Sequence, residues 1–357
     1  MNSTERLMAV LTGKTPDRIP WAPLIDGYYT QSLPEQGLNM NEIQIIKHIG
    51  ADVLLRHVNI VKSKFKNVEY KTIRNGNEEL RIYETKVGNV ESKYIYSGNT
   101  CFKKEPFIKS VENIKTMQYI AENTTYEKDY DVFNKALIAI GDSGLASPSL
   151  PLTPIQSLLQ TEMGIETFTY FLYDYPEEME EFMSVIHSKN LENIKLNADS
   201  PENMKVFIEY EDTSTTVMSP AWFKKYAKGC IDEYADILHK NDKIFITHMC
   251  GKLTGMVSSL IDAKMDGIDS VCPPTTGDLW SYEALERLPG KIIIGGIEPP
   301  ALQRMSVEET KEYVRNVITK SKPFGRFILS TGDATSHGTP VENLKAVTEI
   351  IKELGNY

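Results

Sequence analysis

Short apolar runs recur along the chain, beginning near residues 19, 51, 136, 205, 243, 268, 291 and 326. Stretches with apolar residues at helical spacing lie between most of them. Ser3 to about Gly13, Asn41 to His48, Pro220 to His239, Ser306 to Ser321 and Pro340 to Leu354 are such stretches. A long one runs from Pro154 to Leu196 and breaks near Asp174-Tyr175-Pro176. Strand alternating with helix demands a parallel sheet, because each crossover lays a helix on a sheet face. Eight such units predict an α/β fold, a (β/α)8 barrel closed on itself. The open doubly wound alternative lacks support, since no Gly-x-Gly-x-x-Gly and no Gly-Lys-Ser or Gly-Lys-Thr follows a strand.

One region departs from this rhythm. Glu69–Arg74 and Leu80–Thr85 flank Asn75-Gly76-Asn77, and Lys93–Tyr96 alternates again. Asn-Gly between alternating segments is a hairpin signal. An antiparallel β-hairpin insertion is expected near residues 65–101 of a chain otherwise read as one domain, 1–357.

The 357 residues carry 39 basic and 49 acidic side chains, for a net charge of -10. That balance argues against a nucleic-acid or anionic-membrane surface. No stretch is long and apolar enough to span a bilayer, and the start lacks a signal-peptide core, so the cytoplasm is expected. There the four cysteines read as ligands, nucleophiles or fillers rather than disulfides. Cys101 and Cys230 read as fillers.

The chemistry gathers where strands end, the edge that carries function in a parallel barrel. Lys243-Ile244-Phe245-Ile246 runs into Thr247-His248-Met249-Cys250-Gly251, the run near 268 into Cys272, and the last run into Gly332-Asp333. An imidazole with thiolates suits Zn2+, which takes N and S ligands tetrahedrally. His248, Cys250, Cys272 and Asp333 are the expected metal ligands. With three of them one position stays open for substrate; with four the site is closed. Glu211, Asp212 and His337 are candidate catalytic groups. Asp26, Tyr28, Tyr29, His57, Asp142, Glu209 and Glu298 follow predicted strands and are candidate substrate contacts, with Trp21 and Tyr210 as further aromatics at that edge.

Three segments carry a family resemblance. They are Glu5-Arg6-Leu7-Met8-Ala9-Val10-Leu11 with Gly13 and Pro16-Asp17-Arg18-Ile19-Pro20, then His248-x-Cys250-Gly251, then Gly332-Asp333 with Thr339-Pro340-x-Glu342-Asn343. Together they resemble the uroporphyrinogen decarboxylase superfamily, over almost the whole chain. The resemblance implies a (β/α)8 barrel. It also implies one of two activities: porphyrinogen decarboxylation, or zinc-dependent methyl transfer with a corrinoid protein. The decarboxylases bind their substrate's carboxylates through an arginine-rich stretch after the first strand. Here that stretch is Leu24–Gln31 and holds no arginine. In the coenzyme M methyltransferases the third zinc ligand is a late Cys, which falls at Asp333 here. In the similar barrel of cobalamin-independent methionine synthase, Cys272 stands at the position of a Glu and Asp333 at that of a Cys.

The favoured expectation is methyl transfer from an O-methyl donor, such as a methoxylated aromatic, to the cobalt of a separate corrinoid protein. The chain has no Asp-x-His-x-x-Gly of its own, so cobalamin would ride on that partner. The alternative is transfer from the corrinoid protein to a thiol or folate. Decarboxylation and a non-catalytic zinc barrel are the remaining readings, and a homodimer stays open.

Overall fold

The first helix, Ser3–Leu11, begins on a capping box. Asn2 Oδ1 accepts from the Glu5 N–H at 2.8 Å, and Glu5 Oε2 accepts from the Asn2 N–H at 2.9 Å. Two orphan donors of the first turn are thereby satisfied. Arg6 on this helix reaches Asp17 with Nε (2.7 Å) and the buried Asp52 with Nη1 (2.7 Å). The computed structural model describes residues 1–97 and 100–357. They form two compact units, residues 1–60, 130–150 and 200–357 in one, and residues 61–129 and 151–199 in the other.

The first unit contains seven parallel strands: β1 (Val53–Val58), β2 (Gly144–Pro148), β3 (Val206–Tyr210), β4 (Ile244–His248), β5 (Gly267–Val271), β6 (Ile292–Ile297) and β7 (Phe327–Thr331). β1 pairs with β2, and β3 to β7 pair in sequence order as a five-stranded sheet. Bridged segments join the two sheets. Trp21 bridges Leu329 on β7, with Ala22 N–H on Leu329 O and Leu329 N–H on Pro20 O, both 2.9 Å. The Asp52 N–H donates to Trp21 O at 2.7 Å and leads into β1. Ser149, just past β2, bridges Ile208 on β3. Order and sense are those of a (β/α)8 barrel, with the Trp21 segment as its first stave.

Side chains alternate inward and outward along each strand. Ala22, Leu54, Val206, Ile208, Ile244, Ile246, Ile292, Ile294 and Ile328 meet in one buried cluster, with Tyr210 packed against it. The even-numbered residues of β3 and β4 therefore face the barrel interior. Their odd-numbered neighbours face away from it.

The apolar run at 136–140, expected as a strand, is instead the end of a helix, Asp131–Ile140. Its apolar residues follow helical rather than alternating spacing: Phe133 and Ile140 are buried, while Ile138 is 84% exposed. The third stave is β2, a few residues later.

The second unit holds a four-stranded antiparallel sheet of Val68–Asn75, Glu78–Thr85, Gly88–Ser97 and Thr100–Glu105, in that order. The expected hairpin turns at Gly76, whose φ of 61° suits a residue without a Cβ. The insertion is larger than the sequence indicated, because Val61–Phe65 also pairs antiparallel with Thr124–Lys128. Helices Val111–Glu122, Pro154–Ser157, Ile165–Asp174 and Pro176–Ala198 also belong to the unit, with the expected break at Tyr175.

Candidate active site

His248 ends β4 and faces inward. Tyr210 on β3 and Asp269 on β5 are its register partners. Nδ1 of His248 lies 2.7 Å from Asp269 Oδ2, and Asp269 Oδ1 accepts from Arg56 Nη2 of β1 at 2.8 Å. All three side chains are buried. Burial opposes the charge of Asp269, but Arg56 and His248 overcome it and hold the carboxyl at about 2. The pair fixes the imidazole: an ionised carboxylate accepts a hydrogen bond from Nδ1–H, which keeps the proton on Nδ1 and leaves Nε2 with its lone pair.

Asp269 faces inward by its register with His248, and a bulge follows it. The β5–β6 register slips between Ile268 and Val271, and Ser270 takes a φ of 77°. Ser270 Oγ holds this turn by donating to Gly332 O at 2.6 Å. Bulges re-aim side chains beside functional sites, and this one ties β5 to the loop carrying Asp333.

Past the strand ends the donors draw near one another. Cys250 Sγ lies 4.0 Å from Asp212 Oδ1. Burial, then Asp333 and Asp212, push the Cys250 thiol up to about 12. Burial, then Glu298 and Asp333, do the same for Cys272. Burial raises the Asp212 carboxyl too, and Asp333 adds to it while the Ser214 N–H and His248 oppose it. Asp333 is thus the group whose field reaches both thiols and Asp212. It does not cap the following helix, whose N-cap is Pro340; its Oδ1 accepts from the Ala334 N–H at 2.7 Å. Gly332 is required by closeness, since a Cβ there would stand 2.7 Å from Cys272 Sγ.

Aromatic rings continue the wall. His57 stacks on Tyr210 (centroids 4.3 Å, 13° between planes), and Tyr210 tilts against His248 at 4.9 Å. His57 is exposed and holds a φ of 64° at the end of β1, a strained conformation for a residue with a Cβ. Tyr28 is exposed and lies 4.9 Å from the His337 ring.

Several expected residues have other places. Glu209 and Glu211 are fully buried on the outward face of the β3 strand and its extension, where their charges bear on Cys230. The outward parity follows from Glu following Ile208 and Tyr210, which point inward. Asp142 precedes β2 rather than following a strand, so it lies at the opposite edge of the barrel from His248. Tyr29 is a core residue whose hydroxyl donates to Thr339 O at 3.2 Å. Glu298 caps the helix Pro299–Arg304 and accepts from Thr276 Oγ1 at 2.7 Å, so both its oxygens are engaged. Asp26 caps the turn Gly27–Thr30 through Oδ1. Arg56 and Asp269, which hold His248, were not among the expected site residues; the available signal was a charged residue inside each of two mostly apolar strands.

Among the described residues, no three His, Cys, Asp or Glu side chains are grouped so as to hold a metal ion. His248, Cys250, Cys272 and Asp333 form a neighbourhood around one mouth. The chemistry of that set nevertheless fits a divalent cation. Two thiols whose ionisation is opposed by burial and carboxylates gain most from a positive ion, and the carboxylate-held imidazole is the common partner of zinc.

The model of the uroporphyrinogen decarboxylase (URO-D) family matches residues 145–354. The chain belongs to the uroporphyrinogen decarboxylase family. No curated protein matches it. Among solved structures it is similar to a methyltransferase from Methanosarcina mazei, at 13% identity over 99% of each chain and a TM-score of 0.65, a likeness of fold. A GH18 chitinase, ChiB, from Flavobacterium johnsoniae shares 12% identity over 65% of this chain and 82% of its own, but its TM-score of 0.34 carries no argument. Leu24–Gln31 holds no arginine, and the guanidinium of Arg56 is committed to Asp269.

Proposed function

We propose that this chain is a zinc-dependent methyltransferase. It moves a methyl group from a small O-methyl donor, a methoxylated aromatic being the favoured class, to the cobalt of a separate corrinoid protein. The observation that carries the reading is the chain Arg56–Asp269–His248, which ends in an imidazole whose Nε2 is left with its lone pair, two residues before Cys250. The family match and the fold likeness to a methyltransferase support it.

His248 and Cys250 would hold the zinc, with Cys272 and Asp333 completing the set. When bound, zinc supplies Lewis acidity to an ether oxygen whose departure limits the transfer. Asp269 keeps the Nδ1 proton on His248 throughout. His57 and Tyr210 offer stacked faces on which a planar ring is oriented. Asp212, beside Cys250, stands where a proton can reach the departing oxygen, and His337 with Tyr28 flanks the entrance.

Zinc content, measured by elemental analysis of the purified chain and of His248→Ala, Cys250→Ala, Cys272→Ala and Asp333→Ala variants, tests this reading. About one zinc per chain is expected, lost in the first two variants. Transfer from a methoxylated aromatic to Co(I) cobalamin, followed by absorbance, tests the donor. A chain that takes up no zinc and transfers no methyl group would return decarboxylation to the front.

A further inference from the structure

The second unit holds a cavity of about 240 Å³, walled by Phe65, Tyr83, Phe107, Tyr126 and Phe182 and lined also by Glu162 and by Lys189, whose Nζ lies 5.9 Å from the Tyr126 ring and is paired with Glu192 at 2.6 Å. Three of the rings form one surface, with centroids 5.4 Å apart for Phe65 and Tyr83 and 5.1 Å for Tyr83 and Phe107. Glu162 ends a π-helical turn, Leu158–Glu162, a rare conformation that recurs at functional sites. Glu162 Oε1 accepts from Thr161 Oγ1 at 3.2 Å, while Oε2 is buried without a hydrogen-bond partner.

A lone carboxyl oxygen among aromatic rings is costly unless a donor meets it. Lys103 is nearby but does not meet it. Its Nζ donates to the Gln160 carbonyl (3.2 Å) and to that of Thr161, and it makes no ion pair with Glu162. Burial pushes the Glu162 carboxyl up, with Lys103 pulling only partly the other way. Aromatic faces attract cations, most strongly where water is excluded. The volume lies below the roughly 300–1,000 Å³ of drug-sized sites, so the occupant is small.

We propose that this cavity binds a small organic ammonium ion, with its N–H donors on Glu162 Oε2 and its hydrocarbon body against the rings. An ammonium satisfies the carboxyl oxygen and the ring faces together. A neutral alcohol satisfies only the first.

Isothermal titration of the full chain with benzylammonium chloride and with benzyl alcohol separates the two. Benzylammonium is expected to bind about tenfold or more tightly than the alcohol, as charge-assisted contacts exceed neutral ones. In Glu162→Gln, which keeps the side chain's shape, that preference should disappear. Thermal melts show whether the variant is folded; if it is not, the comparison of the two probes on the wild type decides. Equal binding of both probes, no binding of either, or an unchanged preference in folded Glu162→Gln would overturn the proposal.

Discussion

His248 Nδ1 and Asp269 Oδ2 stand 2.7 Å apart on neighbouring strand ends, and Arg56 grips the other oxygen of the same carboxylate at 2.8 Å. The carboxylate therefore serves two partners, and removing it harms both. Asp269→Ala leaves the Arg56 guanidinium buried and unpaired. We expect a loss of about 3–5 kcal/mol, read from urea denaturation, the range for breaking a buried ion pair from one side. Asp269→Asn keeps the shape but not the charge, and on the proposed function it should weaken zinc uptake by about 10–100-fold in equilibrium dialysis.

Gly332 allows the Asp333 loop to lie against Cys272. A Cβ at this position would stand 2.6 Å from Cys272 Cβ, so the neighbours must move. Gly332→Ala is expected to cost about 1–3 kcal/mol by overpacking. Gly338→Ala, with its nearest neighbour 3.7 Å away, should show only the smaller cost of its φ of 78°. Thermal melts of the two variants compare them.

The cysteines should differ in reactivity. Cys101 is exposed, whereas Cys230 sits on a helix with Sγ 3.7 Å from the Tyr226 carbonyl. Burial, then Glu211 and Glu233, push the Cys230 thiol up to about 12. Because the thiolate is the nucleophile, iodoacetamide at near-neutral pH should label Cys101 and spare Cys230. Peptide mapping by mass spectrometry reads the result, and rapid labelling of Cys230 in the folded protein would contradict it.

Stability near the chain start should depend on acidity. Arg6, by hydrogen bond and by charge, holds the half-exposed Asp17 carboxyl well below the usual range. A carboxyl lowered on folding stabilises the protein above its unfolded pKa, and that contribution fades as pH falls through the folded value. The stability difference between wild type and Asp17→Asn should thus be full near about pH 6 and shrink steadily below about pH 4. Denaturant midpoints across that range measure it; a difference that grows in acid would reverse the sign.

The strand pattern was legible because buried strands are continuously apolar and end abruptly at polar residues, as Ile244–Ile246 does before His248. Ala136–Ile140 misled because a short apolar run has no visible period; one exposed residue, Ile138, betrays the helix only in three dimensions. His248, Cys250 and Asp212 were singled out by their place after a strand; the structure holds His248 against Asp269 and brings Cys250 within 4.0 Å of Asp212. Glu209 and Glu211 failed by parity, a one-residue difference that decides which side of the sheet a side chain takes. The part of Asp269 was hidden because it follows from two partners remote in sequence, His248 on the neighbouring strand and Arg56 on β1.

The ring of strands is built from two plates, one of five staves and one of two, seamed by isolated bridges at Trp21 and Ser149. Arg56 belongs to the small plate and Asp269 to the large one. Their ion pair works as a tie-rod across the bore, setting the spacing of the plates with the same carboxylate that aims the imidazole. Any force that parts the seams is therefore felt at His248 as a change of aim.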